Sequence, residues 1–412
     1  MKRSPLGRGA VVAAVASFAL VVGTPAPASA ALDPKPAEAA AGWLAGELTG
    51  GRSLNEDSEF YDYGLTVDTW FALDAAGTEA KKRRAIVRAL KDHVEDYITP
   101  FGSRSAGATA KLLVLAKQAD ARPRHFGGVD LVKRLRSQIS SGGADDGRVA
   151  DDAEMDYANT IGQAFAVTGL ARIGSPSKAA TEFLLKQQCG KGFFRLIDGD
   201  ATTNPKLTCA GGKEEGNSDP DVDATAYALK ALLVAKRAGT SGVGSAIKDA
   251  VQWLLSVQGA SGAFGGAGPT SGANSNSTGL AGDALAAAGK DGAAADAARC
   301  LRRRQVPTGV GGELRGEGGA VAYNKKAYRV GKANGITKKT SDQWRRATAQ
   351  ATLGLTHLPL APEPEAVTAP EDARVERPWA YATTGAAIAV LVVAIMLLGR
   401  RLVRRHRLGS AR

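Results

Sequence analysis

Two carboxylates two positions apart can do acid–base work when one keeps a proton that its neighbour helps to hold. This chain has one such pair in a suggestive place. Asp221 and Asp223 fall in the run Asp221-Val-Asp223-Ala224-Thr225-Ala226, at the start of a segment that reads as a helix. The same residue types also cap helices, because a short polar side chain accepts the orphan N–H groups of a first turn. Other catalytic patterns are missing from the sequence. It has no Gly-x-Ser-x-Gly turn, no His-Glu-x-x-His pair and no phosphate-binding loop. The histidines are dispersed: His93 among charges, His125 beside a Pro-Arg loop, His357 at the end of a helical run and His406 in a basic tail. We therefore assign no catalytic residue, no metal site and no cofactor, and read Asp223 as a cap or ligand contact.

Helices must position these residues. Six segments are apolar nearly all round and rich in Ala and Leu: 65–76, 106–119, 158–173, 222–238, 276–289 and 342–357. Each has a Thr near its start (Thr69, Thr109, Thr160, Thr225, Thr278 and Thr348), in most cases just after an Asp or Asn. Before each comes an amphipathic segment: 36–48, 79–98, 128–140, 176–188, 244–257 and 291–304. In 79–98, Ile86, Leu90, Val94, Tyr97 and Ile98 share one face while Lys82, Arg83, Arg84 and Arg88 supply charge. One-sided helices face water and two-sided ones are buried, so the pattern predicts an outer ring around an inner ring.

The connectors repeat too. Gln188-Cys-Gly-Lys-Gly-Phe-Phe, Gln258-Gly-Ala-Ser-Gly-Ala-Phe and Gln305-Val-Pro-Thr-Gly-Val-Gly-Gly-Glu-Leu share Gln, then Gly, then a large apolar residue. With the Asp-x-Thr-Ala helix that follows, this resembles the repeat of the terpenoid cyclase and protein prenyltransferase superfamily. The resemblance implies an all-α fold, an (α/α)6 toroid. It also identifies 221–226 with the Asp-x-Asp-Asp-Thr-Ala box of class II cyclases, in which Asp223 would be the protonating acid and Ala224 stands where a third carboxylate belongs. The Asp-x-Cys pair of the prenyltransferase zinc site does not occur. Val67-Asp68-Thr69 and Val222-Asp223-Ala-Thr225 look like inner-helix starts of the extracellular cobalamin carriers, which would make a corrinoid a candidate ligand.

In a toroid the inner helices are parallel, so their N-terminal ends gather at one mouth. Asp68, Asn159, Asp223 and Asn276 are expected there, with the aromatics Tyr63, Tyr157, Phe264 and Trp344 lining the opening. Helix dipoles would make that mouth attractive to anionic or strongly polar groups.

The ends set the compartment. Lys2, Arg3 and Arg8 precede an apolar run and Ala28-Ser29-Ala30, which predicts a signal peptide over 1–30. Residues 379–399 carry no charge and are followed by Arg400, Arg401, Arg404, Arg405 and Arg407, which predicts one membrane-spanning helix with a basic cytoplasmic tail over 400–412. Residues 361–378 are rich in Pro and Glu and read as a stalk, leaving 31–360 as an extracytoplasmic toroid. Of the net charge of +12, residues 1–30 contribute +3 and residues 379–412 contribute +6, so the folded body is nearly balanced and nucleic acid is excluded as a partner. Of the three cysteines, Cys189 and Cys209 are expected to pair across a polar loop and Cys300 to stay a buried thiol. The chain reads as a plasma-membrane, single-pass binding module for a small hydrophobic or corrinoid ligand or for a membrane transport partner, as in an uptake system. The alternative is a divergent terpenoid cyclase or prenyltransferase-type enzyme with an incomplete carboxylate box.

Overall fold

The computed structural model describes residues 31–154, 156–199, 204–213 and 216–360. The expected signal segment, stalk, spanning helix and tail lie outside these residues. Among the described residues no helix is long and apolar enough to cross a membrane.

In chain order the helices are α1 (Lys35–Gly46), α2 (Tyr63–Ala75), α3 (Ala80–Asp92), α4 (Val94–Ile98), α5 (Ala106–Gln118), α6 (Leu131–Ser137), α7 (Thr160–Arg172), α8 (Lys178–Lys186), α9 (Val222–Arg237), α10 (Gly244–Val257), α11 (Ser275–Ala287), α12 (Asp291–Arg302), α13 (Lys325–Asn334) and α14 (Lys338–Leu355). Helices α2, α5, α7, α9, α11 and α14 pack each on the next, and α14 packs back on α2. These are the all-round apolar segments, and they form a closed inner ring. The one-sided helices α1, α3 with α4, α6, α8, α10 and α12 lie against it as the outer ring. Closure is sealed where the two ends of the toroid meet: Asp33 N donates to the Leu358 carbonyl at 2.8 Å and Leu360 N to that of Ala31 at 2.6 Å.

The connector repeat has a physical reason. Gln188 Nε2 donates to the Gly192 carbonyl at 3.0 Å and, across to the next outer helix, to that of Ala246 at 2.9 Å. Gln258 and Gln305 repeat the stitch, reaching Ala293 at 2.9 Å and Pro36 at 2.7 Å. Gly192 has φ +95°, and a Cβ there would fall 2.4 Å from the Asp249 carbonyl oxygen, so only glycine fits. The connector then turns inward, and its N–H is caught by the inner-helix threonine. Phe194, Phe264 and Val321 donate to Thr225, Thr278 and Thr348, each at 2.9 Å. In α2 this anchor is Thr66, holding Ser53 N at 2.9 Å. In α7 it is Gln163, which holds Val149 N at 2.8 Å, not Thr160.

The fold departs from all-α in its connectors. Strands β1 (Leu48–Thr49), β2 (Arg52–Asn55) and β3 (Phe60–Asp62) form an antiparallel meander, and β4 (Phe264–Gly265) pairs with β5 (Ala273–Asn274). The meander replaces the Gln-Gly-aromatic connector before α2 and presents the Ser53 N–H to Thr66. Helix α13 is a further addition, an exposed connector helix whose Gly331 lies against the Trp344 ring. Cys189 and Cys209 are disulfide-bonded, with Cα atoms 5.2 Å apart, while Cys300 is buried in α12.

Candidate functional site

Five inner helices begin alike. Asp62, Ser105, Asn159, Asp221 and Asn274 stand in extended backbone and accept first-turn N–H groups with their side chains. Asp62 accepts from Leu65 at 2.8 Å, Asp221 from Ala224 at 2.7 Å and Asn274 from Ser277 at 2.8 Å. Helix α14 begins earlier, but Thr348 fixes its register and makes Trp344 the equivalent position. Shared caps put residues at equal offsets at equal height in the ring. Six positions beyond the cap lie Asp68, Lys111, Phe165, Tyr227, Leu280 and Gln350, all but Leu280 on the wall of a cavity of about 350 Å³. Tyr97, Asp151, Tyr157 and Asn159 extend that wall towards the mouth. Space at this level comes from small residues: Gly107 and Gly162 line the cavity, and a Cβ on Gly162 would stand 3.1 Å from Gly107 Cα.

The cavity is aromatic on one side and charged on the other. Phe165 and Tyr227 have ring centres 5.0 Å apart, with Phe71 stacked behind Phe165 at 6.4 Å. Opposite, Asp68 Oδ1 pairs with Lys111 Nζ at 2.6 Å; the ammonium also donates to the Gly64 carbonyl at 3.1 Å and sits 5.8 Å from the Phe165 ring centre. Nearer the helix C-termini, Asp283 is held by Lys230 and by His357 Nε2 at 3.1 Å. Burial would raise its pKa, but the Lys230 ammonium and the hydrogen bond with His357 hold it down to about 2. Burial raises the Tyr227 and Tyr97 phenols well above the ordinary range, with Asp68 adding to both, so they are neutral hydrogen-bonding groups.

Asp223 differs from its neighbours. It follows the cap Asp221 by two and precedes Tyr227 by one turn, on the same inward face. Its Oδ1 is shielded from solvent without a hydrogen-bond partner, as are Asn276 Oδ1 and Ser277 Oγ on the adjoining α11. Burial, reinforced by the Asp221 charge, pushes its carboxyl up to about 6; Ser277 pulls weakly the other way.

The expected site residues thus divide. Asp68, Asn159 and the half-exposed Tyr157 line the cavity. Asn159 is a true cap, accepting from Ile161 and Gly162 at 3.0 and 3.2 Å. Asp223 and Asn276 are not caps, because Asp221 and Asn274 already fill that role. Tyr63 turns to the outer helices, its hydroxyl on Asp96 at 3.3 Å and its ring beside His93 and Tyr97. Phe264 and Trp344 do not line the opening; they are 1% and 2% exposed, wedged into the connector core. The mouth is not the anion trap that bare helix dipoles would make. Side-chain caps occupy its N–H groups, and Lys111 is paired with Asp68 on a wall that also carries Asp151. Sequence reading missed Lys111, Phe165, Tyr227 and Gln350, whose signal is the constant offset from the cap.

No protein-family model matches the chain, and no curated protein matches it. Solved structures do. A crystal structure of a protein from Actinoplanes is 17% identical with a TM-score of 0.52, covering 79% of this chain and 99% of that one. The type II terpene cyclase MstE from Scytonema is 15% identical with a TM-score of 0.52, covering 78% of this chain and 96% of the cyclase. A variant of that cyclase in complex with merosterolic acid A, its product, gives 0.51 at the same identity. At such identities the likeness is one of fold. The chain shares the helical toroid fold of these structures.

Proposed function

We propose that this chain is a ligand-capture module, held outside a membrane by its C-terminal segment, that takes a small amphipathic molecule into the centre of its inner ring. One observation carries the reading: the constant offset from the caps gathers Phe165, Tyr227, Asp68, Lys111 and Gln350, with Tyr97 of α4 beside them, around a cavity of about 350 Å³. Small-molecule sites typically occupy ~300–1,000 Å³, apolar with a few convergent polar groups. The volume favours a compact hydrophobic ligand; a corrinoid would enter by one substituent only. Delivery to a membrane transport partner, as in an uptake system, is the role that such an anchored module would serve.

A cyclase reading draws on Asp223, whose pKa of about 6 keeps a share of it protonated near neutrality, and on the fold shared with MstE. Against it stand Ala224 in place of a third carboxylate and the ion pairs Asp68–Lys111 and Asp283–Lys230 inside the ring. A carbocation needs aromatic faces around it, and basic groups or carboxylates at that height would quench it.

The experiment is native mass spectrometry of the mature protein purified from its own membranes, wild type beside Ala108→Trp, which fills the cavity from α5. A small molecule retained by the wild type and lost from the variant supports capture. Retention by both places the ligand elsewhere and overturns it. Cyclisation of an acyclic polyprenoid by the wild type, lost in Asp223→Asn, would instead establish the enzyme.

A further inference from the structure

We infer that Asp223, with Asn276 and Ser277, is a subsite for the cationic head of the ligand, so that the ligand class is an amphipathic amine. The inference rests on the central-cavity reading and adds to it the chemistry of the polar group.

Of the other inward carboxylates, Asp151 accepts from the Ala106 and Tyr157 N–H groups and the rest have cations. Asp68 has Lys111, Asp62 has Arg346, and Asp283 has Lys230 and His357. Among the described residues no cation reaches Asp223; the charge that acts on it is that of Asp221, of the same sign. Its Oδ1 and Asn276 Oδ1 are two unsatisfied acceptors on the packed helices α9 and α11, while the Ser277 hydroxyl is directed at the Asp223 carboxylate, whose pKa it lowers. None of the three is needed to cap its helix, since Asp221 and Asn274 do that. Two acceptors left empty on adjoining helices ask for a donor with several N–H groups, and a carboxylate without a cation asks for that donor to be charged.

The surroundings fit an ammonium better than water alone. Tyr227 stands one turn along α9 and joins Phe165 on the aromatic wall. Tyr323, whose backbone carbonyl accepts from Ser275 N at the start of α11 at 2.8 Å, is near enough for the Asp223 charge to raise its phenol pKa. A carboxylate beside aromatic rings holds an organic cation by ion pairing and cation–π attraction together. An apolar tail would then run along Tyr227 and Phe165 towards the cavity mouth. The anion of the same shape would meet Asp223 and Asp68 and be repelled.

The test is isothermal titration of the full-length, detergent-solubilised protein with 2-phenylethylamine and with 3-phenylpropionate, a near-isosteric anion. The wild type should bind the amine and discriminate against the carboxylate by at least about tenfold. Asp223→Asn keeps the shape and removes the charge, and should weaken amine binding by roughly 10- to 100-fold while leaving the melting temperature no lower. Ala108→Trp should abolish binding of both. Equal binding of the amine by wild type and Asp223→Asn, equal affinity for amine and carboxylate, or no amine binding at millimolar concentration overturns the inference. If Ala108→Trp blocks binding but Asp223→Asn does not, the cavity stands and the cationic subsite falls. If neither variant matters, both fall.

Discussion

Replacing Asp223 by Asn should stabilise the protein, and only above a definite pH. The carboxyl is raised from its ordinary 3.8 to about 6, chiefly by burial. A raised carboxylate pKa means that the fold prefers the protonated form. Stability is therefore full below about pH 4, is lost as pH rises from about 4 to 6, and stays flat beyond. A shift of that size corresponds to about 3 kcal/mol at 1.36 kcal/mol per unit, and the intermediate burial of the side chain reduces this to roughly 1–3 kcal/mol. Asn is neutral throughout, so the variant should match the wild type near pH 4 and exceed it by that margin at pH 7. Asp198 is also raised to about 6 by burial and tilts both curves alike, so the difference between the two proteins isolates Asp223. Urea unfolding across this range measures it. A difference independent of pH, or a variant less stable at pH 7, would refute the assignment of Asp223 as an unpaired inward carboxylate.

Asp221→Ala should behave oppositely, losing a cap and about 1 kcal/mol at neutral pH, read in the same urea titration. Peptide mapping without reduction should find the Cys189 and Cys209 peptides joined, and a Cys300 peptide joined to either would contradict the pairing. Thr225→Val, which removes the acceptor for the Phe194 N–H in a fully buried setting, should cost about 1–3 kcal/mol by thermal or urea unfolding. A cost near zero there would mean that the threonine anchor is not what holds the connector.

Much of the architecture was legible because it rests on periodicity. The alternation of all-round apolar and one-sided segments marks the two rings, and Gln188, Gln258 and Gln305 mark the stitches between outer helices. What was not legible is decided by backbone angles. Asp221 and Asp223 are equally good caps by composition; only the extended backbone at Asp221 (φ −131°, ψ 117°) makes it the cap and frees Asp223. In α2 the Asp68-Thr69 pair marks the helix start in the sequence, yet the cap lies six residues before Asp68 at Asp62, and Thr66 is the threonine bonded to its carbonyl. Phe264 and Trp344 were placed at the mouth because aromatics suit ligands, but connectors need wedges to fill the space between helices, and burial took precedence. Lys111 and Gln350 carry no local signature. They become visible only when the six segments are aligned on their caps.

The most direct test of central capture is photoaffinity labelling of the intact protein with an aryl-azide derivative of 2-phenylethylamine, followed by peptide mapping. Adducts should concentrate on the peptides carrying Tyr97, Lys111, Tyr157, Phe165 and Tyr227, and should be displaced by excess unlabelled amine. Displaceable labelling confined to the outer helices, or to the open surface depression formed by Thr308, Gly309, Val310 and Arg315, would contradict it.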